Sequence, residues 1–355
     1  MEDNNETVSV CVVNWNGMKY LPKCLNSIYA QDYRCEVEVI IVDNNSTDGS
    51  LEYLENQDRI KLMKNEVNKG FSYAYNQAIK ASKGDYILPL NFDVFIEKNF
   101  ISEMVKTIKS NPSIGIVSAK LYKQIDGNES NILDSTGIVM EHFFMRPRGE
   151  TEEDKGQYDD IEKRRIFGAC GAAPFYRMAM LEDIRFPDEV FDKDFVNYVE
   201  DVDLSWRAQL RGWVCVYNPK ATAYHERGAT RKNNNKIKRD YLVYGFKNRY
   251  GSMVKNMTSE YWRRNRVKII CREVTFLLSY YNGVSRTVRL EALFLALIML
   301  RKMLPKRKVI QRRKMVTDDY MDTFFCYDKV ELRQSLRDML SLLSFKNYRC
   351  KRKRG

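Results

Sequence analysis

Four short apolar runs in the N-terminal part of the chain each give way to an asparagine or aspartate, and amphipathic segments separate them. That alternation constrains the fold more than any other feature. A strand buried on both faces of a parallel sheet reads as a continuous, β-branched-rich apolar run, whereas a solvent-facing strand alternates. Residues 8–14 (Val-Ser-Val-Cys-Val-Val-Asn) are such a run and lead into the turn formers Asn14, Asn16 and Gly17. The spacing of Leu21, Cys24, Leu25 and Ile28 predicts a helix over 21–31 with one apolar face. Residues 36–42 repeat the strand pattern, and further strands are predicted over 60–64 and 86–90 with a helix over 72–82 between them. Strand, helix, strand at this spacing is a parallel βαβ unit. The fold expected is α/β, a mostly parallel Rossmann-like sheet with flanking helices.

Ligands of open parallel sheets gather at the carboxyl ends of the strands. Asn14 and Asp43 stand at two such ends, placed to meet a nucleoside. In the run Asp43-Asn44-Asn45-Ser46-Thr47-Asp48-Gly49-Ser50 these residues can equally cap a turn and a helix. Asn68-Lys69-Gly70-Phe71 lies just before a predicted helix N-terminus, where backbone amides can receive phosphate, and Asn76 falls near the start of that helix. Asn91-Phe92-Asp93 ends the fourth strand, and a carboxylate there beside a diphosphate suits a metal as an oxygen ligand. Taken alone, an Asn-x-Asp after a strand is more often turn chemistry.

The second half carries Glu200-Asp201-Val202-Asp203, the opening of a helix predicted to 210 and stopped by Gly212. Val202, Trp206 and Leu210 recur on one face, and Asp203 pairs with Arg207 at i, i+4, a structural arrangement. Glu200 and Asp201 sit at the helix start, where acids also suit the helix dipole without any chemistry. Ahead of them, the small-residue segment 167–174, which includes Gly171, lets backbone approach a ligand or pack tightly in a core turn. Residues 186–191 are expected to carry aromatic rings toward an acceptor mouth. The chain has two histidines. His225 ends a predicted strand, 214–224, at a sheet edge, while His142 lies among Phe143, Phe144 and Met145 and reads as packing.

Charge divides the chain. Residues 231–355 carry 32 Lys+Arg against 10 Asp+Glu, leaving 27 against 37 for the rest. An acidic body with a basic tail points to an anionic surface such as phospholipid headgroups or a lipid diphosphate. Nucleic acid is not expected, because no RNA-binding aromatic signature, zinc-finger spacing or basic zipper is present. The stretch 287–303, apolar over most of its circumference, suits a membrane interface or a helical subdomain packed on the body. Its longest unbroken apolar run, 292–300, is too short to span a bilayer, which needs about 20 residues. The cysteines lack metal-knuckle or redox spacing and no apolar signal segment opens the chain, so free thiols in a cytosolic protein are expected.

Five of these blocks, 8–14, 42–49, 68–71, 90–94 and 200–207, resemble in order and spacing the inverting family 2 glycosyltransferases of GT-A fold. The likeness covers about residues 6–250 and is strongest to the rhamnosyltransferase-like members. The resemblance implies a catalytic domain over 1–235 and a basic helical region over 236–355, possible membrane contact lying in the latter. It implies transfer of a sugar, rhamnose by that likeness, from a nucleotide-sugar to a glycan hydroxyl, on a polyprenyl-diphosphate carrier at the cytoplasmic face of the plasma membrane. Asp201 matches the family's catalytic base, with Glu200 its neighbour. Asp43 matches the nucleobase-binding acid, and Asn14, Asn45, Asn68, Lys69, Gly70, Asn76, Asn91 and Gly171 complete the expected donor site. Asn91 stands where the family's Asp-x-Asp motif has its first acid, so Asp93 and His225 would be the ligands of Mg²⁺ or Mn²⁺. A sugar nucleotidyltransferase would need a glycine-rich loop after the first strand, and a dinucleotide oxidoreductase a Gly-x-Gly-x-x-Gly; neither is present. A non-catalytic protein of a glycan assembly complex, binding sugar-nucleotides or acting as a scaffold, stays open as the alternative.

Overall fold

A computed structural model describes residues 6–125, 127–141, 144–160, 164–228, 235–278 and 284–326. His142 and the terminal basic run 351–354 lie outside the described residues. The N-terminal elements follow the apolar pattern closely: β1 (Val8–Asn14), α1 (Leu21–Tyr29), β2 (Val37–Asp43), α2 (Ser50–Glu55), β3 (Lys61–Lys64), α3 (Phe71–Ala81) and β4 (Tyr86–Asn91). β1 pairs in parallel with both β2 and β4, in a register that sets Asn14 beside Asp43 and Val13 beside Asn91. The polar strand ends are thereby gathered on one rim.

Beyond β4 come β5 (Val94–Ile96), α4 (Phe100–Lys109), β6 (Ile114–Ile125), β7 (Asn128–Ser135), β8 (Ile138–Glu141), β9 (Phe144–Pro147), β10 (Phe175–Arg177), α5 (Met178–Ile184), α6 (Glu200–Leu210) and β11 (Val214–His225). The main sheet runs β3-β2-β1-β4-β10-β6-β11-β5, with β7 added to β6. Its first four strands are parallel, but β10 is antiparallel to both β4 and β6, and β5 is antiparallel to β11. His225 thus ends an internal strand, not an edge strand: β11 lies between β6 and β5.

Alternate side chains of each buried strand serve opposite faces, as strand geometry requires. Val8, Val10, Val12 and Leu88 pack with Leu25, Ile28, Phe100 and Met104 of α1 and α4. Cys11, Ile40, Ile87 and Ile116 pack on the other side with Tyr75, Ala78, Leu181 and Leu204 of α3, α5 and α6.

The basic region forms α7 (Asn235–Asn256), α8 (Ser259–Leu278), α9 (Arg286–Arg312), α10 (Asp318–Asp322) and β12 (Phe325–Cys326), the last pairing with β8. One apolar cluster joins Phe167, Val202 and Trp206 to Met253, Tyr261, Ile310 and Phe325. Each such large side chain removed from water contributes about 1.5–3 kcal/mol. The charge boundary near 235 is therefore not a boundary of the core, and the acid-bearing helix α6 lies between the sheet and the C-terminal helices. Among the described residues no helix is long and apolar enough to cross a membrane.

Candidate active site

At the β1–β2 end, Asn14 Nδ2 donates to Asp43 Oδ2 at 2.7 Å, and the Asp43 carboxylate also accepts from Ser46 N at 2.9 Å and Ser46 Oγ at 2.6 Å. Both residues are buried, so Asp43 here organises the 43–50 loop. Asn14 Oδ1 is buried without a hydrogen-bond partner among the described residues. Asn45 is exposed and left-handed at φ 65°, a conformation Asn tolerates better than most residues. Asn68 and Lys69 are exposed, and Asn68 Oδ1 accepts from Gly70 N at 2.9 Å. Gly70 has φ 82°, and a Cβ on it would stand 2.6 Å from Val196 Cγ1, which fixes glycine there.

Two expectations fail in this region. The first amides of α3 are already engaged, Phe71 N with Asn197 Oδ1 at 2.8 Å and Ser72 N with Val196 O at 3.0 Å, so they do not face an anion. Asn76 is not with the donor residues. Its carboxamide bonds the backbone of Val190 and Phe191, at 2.7–2.9 Å, beside a cleft of about 900 Å³ at the amino ends of the strands.

The fourth strand's end is better built. Because β5 turns back against β11 with Val94 opposite His225, Asp93 Oδ1 comes to 3.5 Å from His225 Nε2. Glu226 N donates to Asp93 O at 3.0 Å, and Asn91 N to Ala172 O at 3.0 Å, closing the small-residue segment onto the same rim. The other imidazole nitrogen, Nδ1, lies 2.8 Å from Asp134 Oδ2, a fully buried carboxylate on β7. Burial alone would lower the His225 pKa, but Asp93 and Asp134 outweigh it and raise it to about 9. Among the described residues no group of three or more His, Cys, Asp or Glu side chains could hold a metal. Asp93 and His225 fit half of a divalent site: one oxygen and one nitrogen donor face each other, with Asp134 on the far nitrogen. Phosphate oxygens are the natural remainder for a hard cation.

The acids come from a strained approach. Val196, Tyr198 and Val199 all have positive φ, from 64° to 71°, immediately before Glu200. Such conformations cost of order 1–3 kcal/mol each and persist only where surrounding contacts impose them. Here Asn248 of α7 imposes them: its Nδ2 lies 2.9, 2.7 and 2.8 Å from the carbonyl oxygens of Phe195, Asn197 and Tyr198. Asp201 Oδ2 accepts from Gly171 N at 2.8 Å, and a Cβ on residue 171 would stand 3.2 Å from that oxygen. Burial raises the Asp201 pKa against the opposing pull of the Gly171 and Val202 amides and Arg227. Burial and the Asp201 charge hold Glu200 well above the usual carboxylate range, and its Oε2 has no hydrogen-bond partner among the described residues. Asp201 is the more exposed of the two carboxylates.

Asp203 is structural, as its pairing predicts: Arg207 Nε lies 3.0 Å away, and Asn256 and Lys255 bind its other oxygen. The 167–174 segment also packs, since a Cβ on Gly168 would stand 2.4 Å from Ser205 Oγ. The aromatic rings of 186–191 do not reach an acceptor mouth. Phe191 is buried against Phe71, Tyr75 and Tyr176, and Phe186 packs with the Trp206 cluster.

The glycosyl transferase family 2 model matches residues 9–185. The chain carries a family 2 glycosyl transferase domain. Its fold is GT-A, a mixed sheet flanked by helices with a C-terminal helical region. The poly-β-1,6-N-acetyl-D-glucosamine synthase of Staphylococcus epidermidis is 24% identical over 223 residues, 62% of this chain and 50% of that protein. The chain thus spans about half the length of that relative. The structure of S. aureus TarS residues 1–349 with UDP-GlcNAc superposes with a TM-score of 0.53 at 19% identity, covering 95% of this chain and 89% of that one. The mannosyltransferase PcManGT of Pyrobaculum calidifontis, in complex with GDP-Man and Mn²⁺, gives 0.50 at 14% identity over 96% and 88%.

Proposed function

We propose that this protein is an inverting glycosyltransferase that moves a sugar from a nucleotide-sugar to a hydroxyl of a glycan acceptor in cell-surface polysaccharide synthesis. The observation that carries the reading is the convergence of Asp201, held by Gly171 N, with the segment whose Ala172 carbonyl binds Asn91, next to the Asp93–His225 pair. A carboxylate with a raised pKa is a competent general base near neutral pH. Asp201 takes the proton of the acceptor hydroxyl as its oxygen bonds to the anomeric carbon. The bond from that carbon to the diphosphate breaks on the opposite face, which inverts the configuration. A divalent cation held by Asp93 and His225 would neutralise charge on the leaving diphosphate. His225 must lose its proton to serve as a ligand, and Asp134 fixes which nitrogen is turned toward Asp93.

The donor most favoured is a UDP-N-acetylhexosamine, because similar proteins include a poly-β-1,6-N-acetyl-D-glucosamine synthase and TarS in complex with UDP-GlcNAc, ahead of the dTDP-rhamnose that likeness to the rhamnosyltransferase-like members suggests. The acceptor proposed is a glycan on a polyprenyl diphosphate at the inner face of the plasma membrane, approached through the basic C-terminal region. Thermal stabilisation of the purified chain against UDP-GlcNAc, GDP-mannose and dTDP-rhamnose, each with and without Mn²⁺, tests the donor site. A Mn²⁺-dependent shift with one donor is expected. No shift with any donor would favour a scaffold without a donor site.

A further inference from the structure

Helix α9 is apolar on two sides, and the fold covers only one of them. Val288, Ala292, Ala296, Met299 and Met303 are buried, some of them against α7 and the 195 loop. Opposite them, at 100° per residue, Leu290, Phe294, Leu297 and Ile298 are between 50% and 62% exposed. The same stripe continues through Arg301, Lys308 and Arg312, which are exposed and have no acidic partner among the described residues. Over about 30 Å of helix, with Pro305 inside it, the face passes from apolar to mainly cationic, Leu304 being an exposed apolar residue among the cations. Lys302 and Lys306, on the flank, bind Asp194 in the loop that leads into α6.

We propose that this face of α9 docks on a lipid bilayer surface bearing anionic headgroups, residues 290–298 in the acyl boundary and 301–312 at the phosphates. An interfacial helix has this division of apolar and cationic surface. The charge disfavours the other occupants. A second copy docked face to face would bring the 301–312 cations either onto each other or onto the apolar turns. Residues 327–355 carry nine Lys+Arg against three Asp+Glu, the same sign as the stripe. The inference rests on the sugar-transfer reading only for why a membrane is useful, since docking needs no donor.

The test is co-sedimentation of the full chain, without nucleotide-sugar, with vesicles of phosphatidylcholine alone or mixed with phosphatidylglycerol. Binding to the anionic vesicles alone, weakened by salt, is expected. Arg301→Glu with Lys308→Glu, and separately Phe294→Ser with Leu297→Ser, should each weaken it at least about tenfold. Melting temperatures should hold, because these positions are exposed. Undiminished binding by the Phe294→Ser, Leu297→Ser variant would assign the attraction to the basic tail and overturn the proposal, as would absence of binding. A concentration-dependent dimer dissolved by Phe294→Ser would overturn it in favour of a second copy. Any of these failures beside an intact donor-induced thermal shift leaves the transfer reading standing.

Discussion

Lys255 Nζ of α7 lies 2.9 Å from Asp203 Oδ1 of α6, two residues past the candidate base, and both side chains are fully buried. The same ammonium binds Asp192, which Lys306 of α9 also reaches. The C-terminal helices thus hold the acid-bearing helix through a buried charge network. Removing one partner of such a network leaves an uncompensated charge, at a cost of about 3–5 kcal/mol. Lys255→Met should therefore lose that much stability in urea unfolding, while Lys193→Met, an exposed neighbour, should change it by less than about 0.5 kcal/mol.

Asn248→Ala separates positioning from folding. Its amide restrains three carbonyls of the positive-φ stretch before Glu200, and its loss should cost about 1–3 kcal/mol. If the loop aims Asp201, kcat falls with the donor KM nearly unchanged. A purely structural role would lower the melting temperature and leave kcat per folded molecule as it was.

The pH dependence has a definite sign at Glu200. Burial and Asp201 raise its folded-state pKa, so the native state binds the proton more tightly than the unfolded chain does. Its contribution to stability is complete below the unfolded value of about 4.3 and is lost as pH rises through the folded value. Glu200→Gln should match wild type in melting temperature near pH 4 and exceed it increasingly toward neutral pH. Thermal melts of both proteins from acid to neutral check this; a constant difference would mean that Glu200 is not held protonated.

The strand ends and α6 were legible because their signals are local. An apolar run followed by Asn or Asp needs only neighbouring residues, and the Glu200–Leu210 helix shows its period and its stop within one segment. Asp93 and His225 were paired only through the family resemblance; nothing local in the sequence signals their contact, since it depends on β5, three residues long, turning back onto β11. The same shortness hid β10, and with it the antiparallel step in the sheet. Asp134, Asn248 and Lys255 left no motif. The nearest signal was Asp134 following Ile132-Leu133 inside a strand, where an acid is out of place unless a cation or a histidine meets it. Asn76 misled because its type and position suited a ligand, while its partners come from residues 190–191, which no periodicity links to it.

The His225–Asp134 contact gives a test of the cation site that does not depend on turnover. Asp134 holds Nδ1 and thereby turns Nε2 toward Asp93, as outer-shell carboxylates do for ligating histidines. Asp134→Asn keeps the shape but removes the charge and the preference for one tautomer. Calorimetric titration of Mn²⁺ in the presence of a nucleoside diphosphate should show affinity reduced by about 10–100-fold. Asp93→Ala, which removes a proposed ligand, should reduce it further, and Asp201→Asn should leave it unchanged while lowering kcat by about 10²–10⁴-fold. Equal Mn²⁺ affinity in all of these variants and wild type would place the cation elsewhere, or show that transfer proceeds without it.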